Sequence, residues 1–482
     1  MEMKKSIRSY YKYQFREQLD FRYRLYLMGK EKDLSKRITI AQNLMYRVFE
    51  CGMGILSSPE LEKPFLDLAK TLPIFTDVQY SPNSFLHVMT QSYTTGGHTR
   101  VVERWVNNSP TEQKHSIVLL DQQEEPIPNK LRDAVHEHNG ELFIFDEKLL
   151  AERALKLREL AMNYEYIVLH IHMYDPTAIV AFGTDNFTRP IIFFNHADHA
   201  YWCGVSIIDM LADLRDNDIA KTRRGIENVF TLRIPFEPNP KILAYPKSKE
   251  QSRLDLGLPL DKKIILTVGG AHKYRPFAGC EFCELVSKAI SSLENVVCYG
   301  IGPTPDIGNW SEYEDRFVAL GNIDYGKQYF DYLNACDVYI NSIPIGGGTA
   351  MLDAIQFGKP ILSYTLFEDK LGDIIKGVET TYNAQNFIYE LQLILSSDVK
   401  ARELAEKQYN DVMRYHGEGW KSNLERMLKL VPKKHCVQNN KMKPDTTIDD
   451  LSIMISLWNN SLSNRTWSIY DTYHLIRRIL NL

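Results

Sequence analysis

The sequence predicts an α/β protein made of two doubly wound domains in tandem, with a helical region before them and helices after them. Three observations carry this. Short apolar runs alternate with helix-patterned stretches twice over, the signature of parallel sheets covered on both faces. A proline-rich segment without helical pattern separates the two series. The two series also open alike: FLHVMT leads to Gly96-Gly97-His98, and IILTV leads to Gly269-Gly270-Ala271-His272-Lys273.

The elements follow in order. Residues 1–75 read as helices, with Ile40, Leu44, Val48 and Cys51 at three- and four-residue spacing. Ser58-Pro59 marks a helix start and Leu72-Pro73 an end. Residues 76–240 form the first α/β series, with strands at FLHVMT (85–90), SIVLL (116–120), ELFIF (141–145), YIVLHIHM (166–173) and PIIFFNH (190–196). Helical stretches such as 147–164 separate them. The prolines at 235, 238 and 240 open a linker over 235–248. Residues 241–431 form the second series, with strands at KIILTVGG (263–270), NVVCYGIG (295–302), RFVALGNI (316–323), DVYINSIP (337–344) and KPILSY (359–364). Helices are expected at 328–336 and 349–357. Residues 432–482 read as a loop and two helices. In doubly wound domains the ligand crevice lies at the strand C-terminal ends.

Composition narrows the function classes. The chain has 482 residues, 57 Lys plus Arg and 61 Asp plus Glu, a net charge of −4. That balance gives no support for bulk nucleic-acid binding. Seven cysteines at low density imply no disulfide framework and fit a reducing cytoplasm. The basic N-terminus lacks an apolar core of the secretory type, and no run of 18 apolar residues occurs. A cytoplasmic protein is expected, at most peripheral at the inner face of a membrane. Charge is unevenly spread: eleven basic and five acidic residues put 1–40 at +6 and the remainder at −10. Tyr10, Tyr11, Tyr13, Phe15, Phe21, Tyr23 and Tyr26 interleave with these cations. This head reads either as a solvated helical face or as a contact for an anionic membrane or an acidic partner.

The segment richest in chemistry runs from Asp337 to Pro360. A buried strand leads into Gly346-Gly347-Gly348-Thr349 and directly into a helix carrying Asp353. Glycines let a ligand approach the backbone. The free N–H groups of a helix start face an anion such as a diphosphate. Asp353 stands one turn on, within reach of a ribose hydroxyl. A plain tight turn with a helix-facing Asp is the alternative.

This segment resembles the donor site of GT-B glycosyltransferases: a strand, a Gly-rich loop, a helix with an acid, then Gly358-Lys359-Pro360-Ile361. The preceding Val318-Ala319-Leu320-Gly321-Asn322-Ile323, Tyr329–Cys336 and Asp337 resemble the same family. The motifs match over about 260–430, and the architecture over 76–245. The resemblance implies two Rossmann-like domains and transfer of a sugar from a nucleotide-diphosphate donor, with a UDP-sugar as co-substrate, to a protein or glycan acceptor, without a metal or other cofactor. Many retaining members carry a first acid where this chain has Ile345. The form found here is closer to inverting members. The fold also hosts sugar-nucleotide epimerases and inactive partner subunits, which stand as alternatives.

The resemblance assigns the donor to Gly269, Gly270, Lys273, Arg275, Gly321, Asn322, Gly346, Gly347, Gly348, Thr349 and Asp353. A Lys or Arg after the first strand of the second series offsets the charge of the leaving diphosphate; Arg grips phosphate bidentately, Lys as a point charge. In the first series, inverting transfer needs a base, and His98 stands where some GT-B families place one. Gly96, Gly97, His170, His172 and Trp202 are candidate acceptor or sugar contacts, Trp202 by stacking. The dense run Asn195-His196-Ala197-Asp198-His199 supplies His196, Asp198 and His199 as rival catalytic groups. A metal bound by these histidines is the weaker reading, since alternate strand residues point to opposite faces. Asp213, Arg215, Asp216, Lys221, Arg223 and Arg224 read as a solvated helix face, with Arg223-Arg224 as an alternative phosphate hold. Cys280 and Cys283 form a lone CxxC on a helix, without the second ligand pair that zinc needs.

Overall fold

The computed structural model describes residues 2–438 other than 77, 95–96, 278, 314–315 and 367–371. Gly96 and the expected tail helices lie outside the described residues. The chain divides into two units. One comprises Arg8–Leu232 with the chain from Lys421 onward, and the other contains Arg233–Trp420.

The N-terminal unit begins with three helices, α1 (Glu2–Lys30), α2 (Leu34–Cys51) and α3 (Pro59–Ala69). Asp33 starts α2 by accepting the Lys36 N–H at 3.0 Å, and Gly52, at φ +50°, ends it. The three- and four-residue spacing read from sequence puts Ala41, Leu44, Met45 and Val48 on one buried face. They share a core with Phe21, Leu61 and Phe65, and with Leu86, Val88 and Ile179 of the α/β layer. The helices therefore belong to the same core as the first sheet rather than standing apart from it. On α1 the side-chain amide of Gln18 donates to the Met53 carbonyl at 2.8 Å. Arg47 pairs with Glu17 at 2.7 Å and with Asp20. Of the aromatics on α1, Phe21 is buried, while Phe15 and Tyr26 are 57% and 59% exposed.

Seven parallel strands follow: β1 (Ser81–Met89), β2 (Lys114–Leu119), β3 (Leu142–Ile144), β4 (Tyr164–His170), β5 (Ile191–Phe194), β6 (Met210–Asp213) and β7 (Val229–Thr231). Their order is β3-β2-β1-β4-β5-β6-β7. The order reverses beside β1, so the crevice of this unit opens at the C-terminal ends of β1 and β4. Helix α4 (Gly97–Asn108) leaves from the end of β1 and packs Trp105 onto the sheet. The sequence reading missed β6 and β7. It also placed the charged stretch 213–224 on a solvated helix face; Asp216 and Lys221 are indeed exposed, but the structure corrects the other four. Asp213 ends β6, and Asp213, Arg215, Arg223 and Arg224 are all buried.

The C-terminal unit repeats the plan with β8 (Lys263–Val268), β9 (Val296–Ile301), β10 (Phe317–Gly321), β11 (Val338–Ile340), β12 (Ile361–Tyr364) and β13 (Thr380–Thr381). All are parallel, in the order β10-β9-β8-β11-β12-β13, with the reversal between β8 and β11. Its core gathers Ile265, Phe282, Val286, Cys298, Trp310 and Leu391. Cys283 lies in that core and Cys280 in the turn before its helix, both buried free thiols. The proline-rich linker is not free of helix: Asn239 caps a short turn, Pro240–Leu243, by accepting the Lys241 N–H at 3.0 Å. Among the described residues, no helix is long and apolar enough to cross a membrane.

Candidate functional site

In the C-terminal unit, the glycine turn after β11 is fastened from within. The Asn341 side-chain oxygen accepts the N–H groups of Ser342 at 3.0 Å and Gly347 at 2.9 Å. The Ser342 hydroxyl donates to the Ile345 carbonyl at 2.7 Å. Helix Thr349–Gln356 then starts at Gly348 without a side-chain cap, which leaves its first N–H groups open to an anion. Lys273, on the short 3-10 turn Ala271–Tyr274 after β8, reaches this turn and donates to the Gly346 carbonyl at 3.2 Å. Burial lowers its pKa to about 8. A Cβ on Gly346 would meet the Asn341 amide at 2.7 Å, and one on Gly347 would meet Lys273 Nζ at 3.0 Å. The glycines are what let Asn341 and Lys273 lie against the loop.

The structure thus brings together Gly269, Gly270, Lys273, Gly346, Gly347, Gly348 and Thr349. Gly321 joins them indirectly. It ends β10 at φ +66°, and its carbonyl accepts the Gly302 N–H at 2.7 Å. A Cβ on Gly302 would stand 1.9 Å from the Gly269 carbonyl. Asn322 and Arg275 lie exposed, with Arg275 just past the lysine turn. Asp353 is corrected. It is 0% exposed and accepts the Tyr329 hydroxyl at 3.2 Å, so it anchors the underside of its helix instead of lying open to a ribose. Sequence reasoning missed Asn341, Ser342 and Gly302. The Gly300-Ile301-Gly302 spacing at the end of β9 was the available signal for the last.

The crevice end of the N-terminal unit is built of imidazoles. Gly97 opens α4 and His98 stands in its first turn. His98 Nε2 donates to the His170 carbonyl at 3.0 Å. Its Nδ1 therefore carries the lone pair, and this buried atom has no hydrogen-bond partner among the described residues. Burial, with the neighbouring His172, lowers the His98 pKa to about 4, so the ring is neutral at pH 7. His172 lies past the end of β4, hydrogen-bonded through Nε2 to the Tyr93 hydroxyl at 2.9 Å. Its backbone N–H donates to the Thr90 hydroxyl, which donates to Asp175 at 2.6 Å. His196 follows β5, its ring centroid 4.3 Å from that of His98.

Asp198 and His199 form a separate arrangement. Asp198 pairs with His199 Nδ1 at 3.1 Å and with Arg215 at 2.8 Å. Burial alone would raise the Asp198 pKa, but Arg215 and His199 outweigh it and lower it to about 2. An ion-paired carboxylate of that kind is a poor base. Three other expectations are corrected here. His170 is fully buried inside the sheet and offers no acceptor contact. Trp202 is 2% exposed, stacked on Phe193 at 4.2 Å and covered by the Arg224 guanidinium at 4.4 Å, so no face is left for a sugar. Arg224 donates to the carbonyls of Asp198 at 2.9 Å, Ala200 at 2.8 Å and Leu56. Arg223 donates to the carbonyl of Gly54 at 3.1 Å. These arginines fasten backbone rather than phosphate. Among the described residues, no group of three or more His, Cys, Asp or Glu is placed to hold a metal ion.

No protein-family model matches the chain, and no curated protein matches it in sequence. Solved structures do. A mutant O-GlcNAc transferase from Thermobaculum terrenum matches at a TM-score of 0.55 and 13% identity, over 83% of this chain and 74% of that one. A glycosyltransferase from Rickettsia africae matches at 0.53 and 11% identity, over 73% and 99%. HepE of Anabaena, solved with UDP and glucose, matches at 0.48 and 13% identity, over 72% and 99%. At these identities the likeness is one of fold. The chain has the GT-B fold, with two parallel sheets in two Rossmann-like domains.

Proposed function

We propose that the protein is a glycosyltransferase that moves a sugar from a nucleotide-diphosphate donor to a nucleophilic acceptor. The observation that carries this reading is Lys273 held against the Gly346–Gly348 turn, ahead of an uncapped helix start. That arrangement suits a diphosphate: one fixed cation, several open N–H groups, and glycines that admit the oxygens closely. As the glycosidic bond to the donor breaks, negative charge grows on the diphosphate. Lys273 and the N–H groups at Gly348 and Thr349 stabilise that charge where it develops, so no metal ion is required for this role. Ile345 stands where a retaining enzyme would carry its first acid, which favours a single inverting displacement.

His98 takes the proton of the acceptor. Its Nε2 is engaged by the His170 carbonyl, so Nδ1 is the basic atom, and the ring is neutral at working pH. The donor is a UDP-sugar and the acceptor a protein or glycan. The seven free cysteines support a reducing, cytoplasmic setting. Exposed Phe15, Tyr26 and Lys30 on α1 support peripheral contact with an acidic partner or membrane surface.

Calorimetry with UDP, GDP and ADP, on the wild type and Lys273→Ala, tests the donor half. Micromolar binding of one diphosphate that weakens by about tenfold or more in the variant is expected. Binding of none of the three by the wild type would overturn the proposal.

A further inference from the structure

Four imidazoles of the N-terminal unit form one hydrogen-bonded chain. His115 Nδ1 lies 2.9 Å from His87 Nε2, His87 Nδ1 lies 3.0 Å from His170 Nε2, and His170 Nδ1 lies 2.8 Å from His196 Nε2. Sheet register explains the geometry. His115 on β2 pairs with Phe85 on β1, two residues before His87. His170 on β4 pairs with Met89, two residues after His87. His196 lies two residues past Phe194, the end of β5. Each step crosses one strand and advances two residues, so the pleat keeps all four rings on one face. Trp105 of α4 covers them, 5.6 Å from the His87 ring and 5.9 Å from that of His170. His115, His87 and His170 are fully buried, whereas His196 is partly exposed.

Every link joins Nδ1 of one ring to Nε2 of the next. A neutral imidazole has one N–H and one lone pair. One tautomer therefore dictates the other three: all rings carry hydrogen at Nε2, or all at Nδ1. Burial pushes the His87 pKa down to about 3 and holds His115, His170 and His196 well below the ordinary range, so the chain is neutral. The choice between the two states is made at the far end. His115 Nε2 faces the Gln113 side-chain oxygen at 3.3 Å, and a carbonyl oxygen only accepts. His115 is then Nε2–H, its Nδ1 accepts from His87, and the order propagates to His196. The other groups against the chain are His138, whose ring lies 5.4 Å from that of His115, and His98 beside His196. Neither makes a hydrogen bond to the four rings' linking nitrogens.

We propose that His115, His87 and His170 are positioning residues that, together with Gln113, fix His196 as the Nε2–H tautomer. They thereby present its Nδ1 lone pair at the crevice end, on a ring whose centroid lies 4.3 Å from that of His98. The tautomer itself does not depend on the proposed function; only its use does, as a second acceptor for the hydrogen of the incoming nucleophile.

Position 113 is half-buried at the outer end of the chain, so it supplies the test. Nitrogen NMR of ring-labelled histidine, without substrate, reads the tautomer of His196. Wild type, through the Gln113 carbonyl oxygen, and Gln113→Glu, an acceptor only, are expected to show His196 protonated at Nε2. Gln113→Lys, a donor only, is expected to reverse the chain and move the proton to Nδ1. In the transfer assay Gln113→Lys should lose about tenfold in kcat, the worth of one hydrogen bond, at unchanged diphosphate affinity. The same His196 tautomer in all three proteins overturns the proposal, as does Nδ1 protonation in the wild type. A tautomer that follows residue 113 in a protein that transfers no sugar upholds the relay and defeats only the glycosyltransferase reading.

Discussion

Lys273 Nζ stands 3.2 Å from the Gly346 carbonyl and 3.0 Å from where a Cβ on Gly347 would lie. The lysine and the glycine turn are therefore one device. Removing the cation in Lys273→Ala should weaken nucleoside-diphosphate binding by about tenfold or more, the worth of a charge-assisted hydrogen bond. Gly347→Ala should weaken it less, since a lysine head group can shift by a few tenths of an ångström. Burial lowers the Lys273 pKa to about 8. The ammonium is charged below that pH and lost above it, so affinity should hold from pH 7 to 7.5, where the terminal phosphate is already ionised, and fall as pH rises beyond 8. Calorimetry across that range checks the sign; affinity that rises with pH would remove Lys273 from the site.

His98 should separate binding from turnover. His98→Gln preserves bulk but places an amide where the basic Nδ1 was. Transfer should fall by about 10²- to 10⁴-fold, with diphosphate affinity unchanged. Because the pKa of His98 is lowered to about 4 by burial and His172, the wild-type rate should stay level from pH 5 to 7. It should decline only as pH drops towards 4, when Nδ1 takes up a proton. A rate that halves near pH 6.5 would point to a solvent-exposed histidine instead.

Much of this architecture was legible because parallel strands buried on both faces are continuous apolar runs. KIILTV and FLHVM announce β8 and β1 without ambiguity. MLAD and VFT do not: β6 and β7 are short, and charges follow or precede them. Lys273 and Gly346–Gly348 could be singled out because strand, glycine and helix start lie close in sequence, and the structure sets them against each other. The fate of Asp353 was hidden because only packing decides which side of a helix faces the sheet. Charge also misled at Arg223 and Arg224, where a pair of cations fastens buried carbonyls instead of meeting water. The histidine chain needs inter-strand register, which no single strand contains; histidines in FLHVM, YIVLHIHM and PIIFFNH were its separate traces.

Arg224 should matter for stability more than for catalysis. It is buried, donates to the carbonyls of Asp198 and Ala200, lies over Trp202, and is near two carboxylates, Asp198 and Asp213. Arg224→Ala leaves those groups uncompensated and should cost about 3–5 kcal/mol, read as a lower urea midpoint. Arg224→Lys should recover little, because the planar fork serves several acceptors at once.

Asp213 gives the opposite sign. Burial and the Asp198 charge raise its pKa. Its ionised form is thus disfavoured in the fold, and the associated stability is present at low pH and lost as pH rises through the raised value. Its Oδ1 accepts from Asn195 and from the Leu214 N–H, contacts that an Asn oxygen reproduces. Asp213→Asn should flatten this loss, so that above neutral pH the variant is at least as stable as the wild type. Thermal melts from pH 5 to 9 that run parallel for the two proteins would exclude this.

Glu62 ties the N-terminal helices to the candidate site. It sits on α3, fully buried, and its carboxyl accepts three backbone N–H groups: Gly204 at 2.6 Å, Val205 at 3.1 Å and Ser206 at 2.9 Å. Those residues follow the His196–Trp202 segment after Cys203. Glu62→Ala would leave three buried donors without acceptors, at about 1–3 kcal/mol for each, so a loss of roughly 3–5 kcal/mol is expected once relaxation admits water. Burial raises the Glu62 pKa even though the three N–H groups oppose it. Glu62→Gln retains an oxygen for Gly204 and Val205 and leaves only the Ser206 N–H facing an amide, so it should lose less than half as much. Hydrogen exchange then locates the effect. In Glu62→Ala the amides of 204–206 should lose protection together with those of 196–202, while the strands β8 to β12 keep theirs. Loss confined to α3 itself would show that the helices are an appendage after all, and would leave the placement of His196 independent of them.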